Sequence, residues 1–278
     1  MGLPPLTVVF LRVSLACVAL WIFVIVTGRK IPLGIDVWLA FFIMDVINNV
    51  IPFFLIAWGQ THIASGLTSI LNATTPLFGV LFAGALLADE RITAMKLTGV
   101  IIGFIGVIVM VGPSALGGIG NDLWAQLAVL GASVSYAIAS VYGRLYKARH
   151  IDPIVISACQ VTMSSLVLAP IAFYFDNPFS LPVPGIKVWL SIFALAIFST
   201  AIGYVLFFRI LLSAGATNVM LVALLIPVTS ILLGYFFLGE SLQFVHFLGM
   251  ALIGLGLSAV DGRIWRTVTR ASGEVRIK

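Results

Sequence analysis

The chain predicts an all-α integral membrane fold: an inverted repeat of about five helices, with nine transmembrane helices in this chain. Three observations predict it. Hydrophobic residues make up 61% of the 278 positions and charged residues only 9%, with a mean hydropathy of +1.18, whereas a soluble domain carries about 25% charge. Nine apolar runs, near 5–26, 37–60, 65–87, 95–111, 123–146, 153–175, 187–212, 216–238 and 242–260, suit a hydrocarbon core that takes about 20 helical residues to cross. A degenerate copy of the stretch Val37 to Val111 occupies Val188 to Val260. Continuous runs of this length exclude a transmembrane barrel, whose strands are short and alternate.

The repeat holds one register at an offset of about 150 positions. Val37-Trp38-Leu39 falls on Val188-Trp189-Leu190, Ile51 on Ile202, Pro76 on Pro227 and Leu87 on Leu238, with Asp89 opposite Glu240. The second copy then drops one residue, which brings Gly99 onto Gly249 and Gly106 onto Gly256. Apolar matches are cheap in so hydrophobic a chain; matched Trp, Pro, acid and Gly positions are not.

The first run begins at Pro4-Pro5 and lacks the basic start and cleavage site of a signal peptide, so it is expected to remain as a helix. Its counterpart begins at Asp152-Pro153, with Pro5 on Pro153 and Leu20 on Leu168. That counterpart is preceded by the run Leu123 to Tyr146, which has no equivalent in the first half. The expectation is therefore a ten-helix fold lacking its first helix. Residues 1–111 form a first repeat of four helices, 112–122 an external loop, 123–260 a second repeat of five helices and 261–278 a basic tail.

The run from Val37 carries Asp45, Asn48, Asn49 and Pro52 at helical spacing, on one face. Asp45 is the one acid of the ten placed within a span, and intramembrane acids face a bundle interior or a water-filled cavity. The alternative role is a packing staple hydrogen-bonded to Asn49. The second copy has Ala196, Ser199, Thr200 and Gly203 at these positions, small and polar but uncharged.

The run from Ser65 carries Ser65, Ser69, Asn72 and Pro76 along one side, with Thr68 and Thr75 beside them. Pro76 has no N–H for the Asn72 carbonyl, and Pro227 none for that of Ala223, so both helices are expected to break or kink near mid-membrane. The later runs contain Gly99, Gly103, Gly106, Gly249, Gly254 and Gly256, which suit close helix packing within the bundle or between the protomers of a homodimer. The run from Leu123 contributes Ser133, Tyr136, Ala137 and Ser140. Trp58, Trp124 and Tyr204 are placed nearer helix ends, where an aromatic belt is expected.

With the loop at Gly28 cytoplasmic, every Lys and Arg except Arg12 and Lys187 falls on the cytoplasmic side. The positive-inside bias predicts a cytoplasmic C-terminus. The net charge of +5 follows from this topology and gives no support to nucleic-acid binding. Cys17 and Cys159 lie in separate spans without ligand partners, and His62, His150 and His246 are scattered. No metal site, cofactor or catalytic set is indicated, so an enzyme is disfavoured.

Leu71-Asn72-Ala73-Thr74-Thr75-Pro76-Leu77 followed by Asp89-Glu90 and Gly99, and again Ile226-Pro227 followed by Gly239-Glu240 and Gly249, resemble the EamA family of the drug/metabolite transporter superfamily. Pro4-Pro5-Leu6-Thr7 leading to Phe10-Leu11-Arg12 resembles the entry to that family's second helix, and the match covers nearly the whole chain. Within the family the sequence is most similar to the YddG-like amino-acid exporters. The resemblance implies a transporter of the bacterial inner membrane that exports amino acids, aromatic and other neutral ones, and similar small metabolites by alternating access. Its central cavity is expected to be lined by Asp45, Asn48, Asn49, Asn72, Thr75, Pro76, Ser133, Tyr136, Ser199, Thr200, Tyr204 and Pro227. The alternative reading is an exporter of cationic drugs received by Asp45. A phosphorylated-sugar carrier is weaker, because it needs fixed cations at mid-membrane and the polar stripes have none.

Overall fold

The computed structural model describes residues 3–112, 119, 122–178, 183–238 and 243–261. The Gly239-Glu240 turn, most of the loop expected at 112–122 and the basic tail 262–278 lie outside the described residues. Among the described residues all regular structure is helical, and eight helices are long and apolar enough to cross a membrane.

In chain order these are α1 (Pro5–Val26), α2 (Ile35–Gln60), α3 (Gly66–Leu86), α4 (Ala94–Val111), α5 (Leu123–Lys147), α6 (Pro153–Phe175), α7 (Ile186–Ala214) and α8 (Ala216–Phe237). The shorter apolar helix α9 covers Phe244–Asp261. Large apolar side chains such as Ile25, Phe54, Leu166, Phe198 and Phe236 are exposed, as on a surface solvated by lipid.

Local chemistry sets the helix ends. Pro5 opens α1 and Pro153 opens α6, where proline's missing N–H costs no helical bond. Asp152 caps α6 by accepting from the N–H of Ile154 at 2.8 Å. α1 closes at Gly28, whose φ of 62° is in the left-handed region. The N–H of Arg29 then reaches the carbonyl of Val24 at 3.1 Å and that of Gly28 reaches Ile25 at 3.1 Å, the Schellman pattern.

The chain divides into two compact units that do not coincide with the two sequence halves. One comprises Met1–Val50 and Tyr142–Gly215, the other Ile51–Val141 and Ala216–Lys278. The division therefore falls inside α2 and inside α5.

In the first unit α1 and α6 pack antiparallel along their length. The N–H and hydroxyl of Thr7 donate to Asp176 Oδ2 at 2.7 and 2.9 Å, and Phe10 meets Phe173 edge to face. Trp21 Nε1 donates to Thr162 Oγ1 at 2.8 Å, and Arg29 pairs with Asp152. Polar groups thus hold both ends of the pair, and Val13, Ala16, Leu20 and Val24 of α1 are buried.

In the second unit the tightest pair is α4 with α9, again antiparallel. A Cβ on Gly256 meets the carbonyl of Gly99 at 2.4 Å, and one on Gly249 meets that of Gly106 at 2.7 Å. Only hydrogen fits at these crossings, so the backbones touch. Gly103 accommodates Leu224 of α8, whereas Gly254 faces open space.

Candidate functional site

Each unit holds its own polar cluster. In the first, α2 changes from α to π winding over Val46–Val50, just before Pro52. Proline supplies no N–H to the preceding turn, and π turns inserted in α-helices recur at functional sites. The corresponding part of the second copy, Leu195–Ala201 in α7, is also π-helical although it lacks a proline. There Thr200 donates to the carbonyl five residues back, Leu195, at 3.1 Å.

The sequence-predicted face of α2 is turned inward. Asp45 is fully buried, and Asn48, Asn49 and Pro52 are buried with it. Three donors converge on Asp45 Oδ1: Asn49 Nδ2 at 2.6 Å, Gln160 Nε2 at 3.2 Å, and the hydroxyl of Ser164. Asn49 Nδ2 also donates to Ser164 Oγ at 2.7 Å. Its Oδ1 accepts from Asn48 Nδ2 at 3.2 Å and from Tyr204 Oη at 2.8 Å. Asn49 is thereby saturated. By contrast, Asp45 Oδ2 and Gln160 Oε1 are buried with no hydrogen-bond partner among the described residues.

Beside this network stand aromatic rings of the same unit. Tyr204 lies 6.4 Å from Phe208, Phe208 lies 6.2 Å from Tyr146, and Tyr146 lies 5.0 Å from Phe41, measured between ring centroids. The Tyr146 hydroxyl is tied to the carbonyl of Ala40 at 3.1 Å. Arg12, left over in the orientation count, also belongs to this unit. Its Nε is buried without a partner among the described residues.

The second unit's cluster surrounds the break in α3, which is helical over Ser65–Asn72 and again over Thr75–Leu86. The carbonyl of Asn72 was expected to be an open acceptor; it is instead taken by the hydroxyl of Thr75 at 2.7 Å. Ser133 of α5 reaches the carbonyls of Leu71 at 3.2 Å and Asn72 at 3.5 Å, and Thr74 donates to Leu71 at 2.6 Å. The Thr75 hydroxyl thus replaces the one amide donor that Pro76 lacks, as required where water is absent. The side-chain Oδ1 of Asn72 remains buried and unpartnered among the described residues.

The other predicted residues are dispersed. Tyr136 is half-buried one turn beyond Ser133, and Ser199 is exposed. Pro227 lies inside a continuous helix, Val222–Leu238, while α8 breaks earlier, between Met220 and Val222. Tyr204, placed near a helix end and also among the expected cavity residues, donates to Asn49 in the Asp45 network, shortly after the π turn of α7.

Sequence reasoning missed Gln160 and Ser164. Ser157, Gln160 and Ser164 are spaced i, i+3 and i+7 in α6 and are all buried, a polar stripe visible in the sequence. Glu90 was missed as well. It is 8% exposed and accepts from the backbone N–H groups of Ala216 at 2.5 Å and Thr217 at 2.9 Å, at the start of α8.

Comparison with known proteins adds a family. The profile of the EamA-like transporter family matches residues 2–112 and 123–260. The uncharacterized transporter YoaV of Bacillus subtilis is 26% identical over 92% of this chain and 86% of its own. An uncharacterized transporter of Archaeoglobus fulgidus is 32% identical over 73% of this chain and 70% of its own. The uncharacterized inner membrane transporter YedA of Escherichia coli is 26% identical over 90% of this chain and 79% of its own. A protein solved by crystallography superimposes with a TM-score of 0.77, covering 93% of this chain and 89% of its own at 21% identity, which establishes likeness of fold.

Proposed function

The chain belongs to the EamA-like transporter family of integral membrane proteins, and from that premise we propose that it moves amino acids, aromatic and other neutral ones, and similar small metabolites by alternating access. The observation that carries this reading is the network joining Asp45, Asn49, Ser164, Gln160 and Tyr204 beside the rings of Tyr204, Phe208, Tyr146 and Phe41. Polar side chains kept buried in a membrane protein are expensive and mark solute or ion pathways. In this reading Asn48, Thr200 and Tyr204 meet the polar end of the solute, with Asn49 holding Tyr204 and Asp45 in place, and the aromatic rings meet its side chain. Arg12, with its unpartnered Nε, supports a solute that carries a carboxylate.

The same reading has α9 as a ninth crossing helix and the C-terminus in the cytoplasm. Antiparallel packing of α1 with α6, and of α4 with α9, pairs helices matched by the sequence repeat and supports an inverted repeat. The name of the Escherichia coli relative supports the inner membrane as the location. A second reading, export of cationic solutes, is favoured by the unpartnered Asp45 Oδ2.

The test is counterflow in liposomes preloaded with an unlabelled neutral amino acid. Labelled amino acid is expected to enter faster than into protein-free liposomes, and not into vesicles loaded with a sugar phosphate. Uptake independent of the internal amino acid overturns the reading. Exchange of organic amines alone moves the assignment to cationic solutes.

A further inference from the structure

We propose that Asp45 is a proton-binding site of the transport cycle, loaded and unloaded as solute crosses; this coupling role rests on the transport reading above. The asymmetry of the carboxyl group is the first observation. Oδ1 accepts from Asn49, Gln160 and Ser164, while Oδ2 accepts from nothing described. A carboxylate has two equivalent acceptors, and a protonated carboxyl has one acceptor and one donor. The observed environment is divided in the second way.

The unpartnered acceptor on Gln160 is the second. Its Nε2 touches Asp45 Oδ1 at 3.2 Å, so Oε1 of the same amide lies next to the carboxyl group with no donor of its own. A hydrogen on Oδ2 supplies the one donor that this pair of oxygens lacks. Every bond that Asp45 receives comes from a neutral group, and an unpaired carboxylate inside a bilayer is costly to keep charged.

A metal cation fits less well than a proton. Hard cations take about six or more oxygens, and here two of the groups crowding Oδ1 are amide nitrogens that direct N–H toward it.

Three of the titratable and charged groups of this unit are engaged elsewhere. Tyr204 of α7 donates to Asn49, Tyr146 of α5 donates to Ala40, and Arg144 of α5 donates to the carbonyls of Leu211 and Leu212. Cys159 is buried on α6 beside Gln160, and Arg12 lies on α1. The link to solute movement runs through Asn49, which binds Asp45 with its amide nitrogen and Tyr204 with its amide oxygen. Loading forms one O–H bond on Oδ2 as a hydronium ion from one side of the membrane breaks an O–H bond and becomes water; unloading breaks the Oδ2–H bond and returns the proton to water on the other side as hydronium.

The test has two arms, both on the full chain in lipid. Infrared difference spectra across a pH titration, with isotope-labelled aspartate, read the carboxyl directly. A carbonyl band that appears on acidification is expected, absent in Asp45→Asn and displaced in Asp45→Glu. No titrating aspartate band sensitive to either substitution overturns the site, and Asp45→Glu serves should Asp45→Asn fail to fold. The second arm imposes a pH gradient of one unit on liposomes that show counterflow of a neutral amino acid. One coupled proton sustains about a tenfold concentration ratio. Counterflow without such accumulation overturns the coupling. Absence of counterflow with the infrared band intact rejects the amino-acid reading while leaving the proton site standing.

Discussion

Tyr204 Oη donates to Asn49 Oδ1 at 2.8 Å, across 155 positions of sequence. The bond ties the π segment of α2 to the helix that follows the π segment of α7. Tyr204→Phe removes one of the two donors to Asn49 and leaves Asn48 in place. A loss of about 0.5–1.5 kcal/mol in stability is expected from one neutral hydrogen bond. Thermal unfolding in detergent measures it, and an unchanged midpoint contradicts the bond.

Asn49→Ala is the more severe change. It strips donors from Asp45 and Ser164 and the acceptor from Asn48 and Tyr204. Counterflow is expected to fall about tenfold or more, the equivalent of roughly 1.4 kcal/mol. Initial rates at matched protein content provide the check, and wild-type rates would place the network outside the transport path.

The α4–α9 crossing should tolerate no side chain. Gly256→Leu drives carbon into the backbone of Gly99 and Gly103, so a loss of about 3 kcal/mol or more is expected. Gly254→Ala, two residues away and facing open space, is expected to stay within about 0.5 kcal/mol of the parent. Folded yield by size-exclusion chromatography separates the two, and equal yields refute the packing.

Glu90 supplies the acceptor for the first N–H groups of α8. Glu90→Ala leaves the amides of Ala216 and Thr217 without their carboxylate, for an expected loss of about 2–3 kcal/mol, with Glu90→Gln closer to the parent. Hydrogen exchange at Ala216 and Thr217 should accelerate in the alanine variant. Protection at the parental level there rejects the assignment.

The break in α3 rests on hydroxyls in place of amides. Ser133→Ala and Thr75→Val each remove a donor from the carbonyls of Leu71 or Asn72. Each is expected to cost about 1 kcal/mol, and the double variant more than the sum because both serve Asn72. A double-mutant cycle in denaturant checks it; strict additivity argues against a shared acceptor.

Much of this protein follows from its sequence because a bilayer leaves the backbone few options. Every buried N–H and C=O must be satisfied within the segment, so an apolar run of sufficient length becomes a helix. The inward face of Asp45, Asn48, Asn49 and Pro52 was legible for the same reason: helical spacing collects polar residues on one side. So was the close approach promised by Gly99, Gly106, Gly249 and Gly256. What tertiary structure decided was the partners. No periodicity within α2 reveals that Gln160 and Ser164 of α6 complete the Asp45 cluster, or that Tyr204 of α7 donates to Asn49. Nor does it reveal that Thr75 and Ser133 close the Asn72 carbonyl freed by Pro76. A helix face is fixed by local geometry at 100° per residue, whereas the group that meets it depends on which helix packs there and in which register. That is settled only when all the helices bury their faces together.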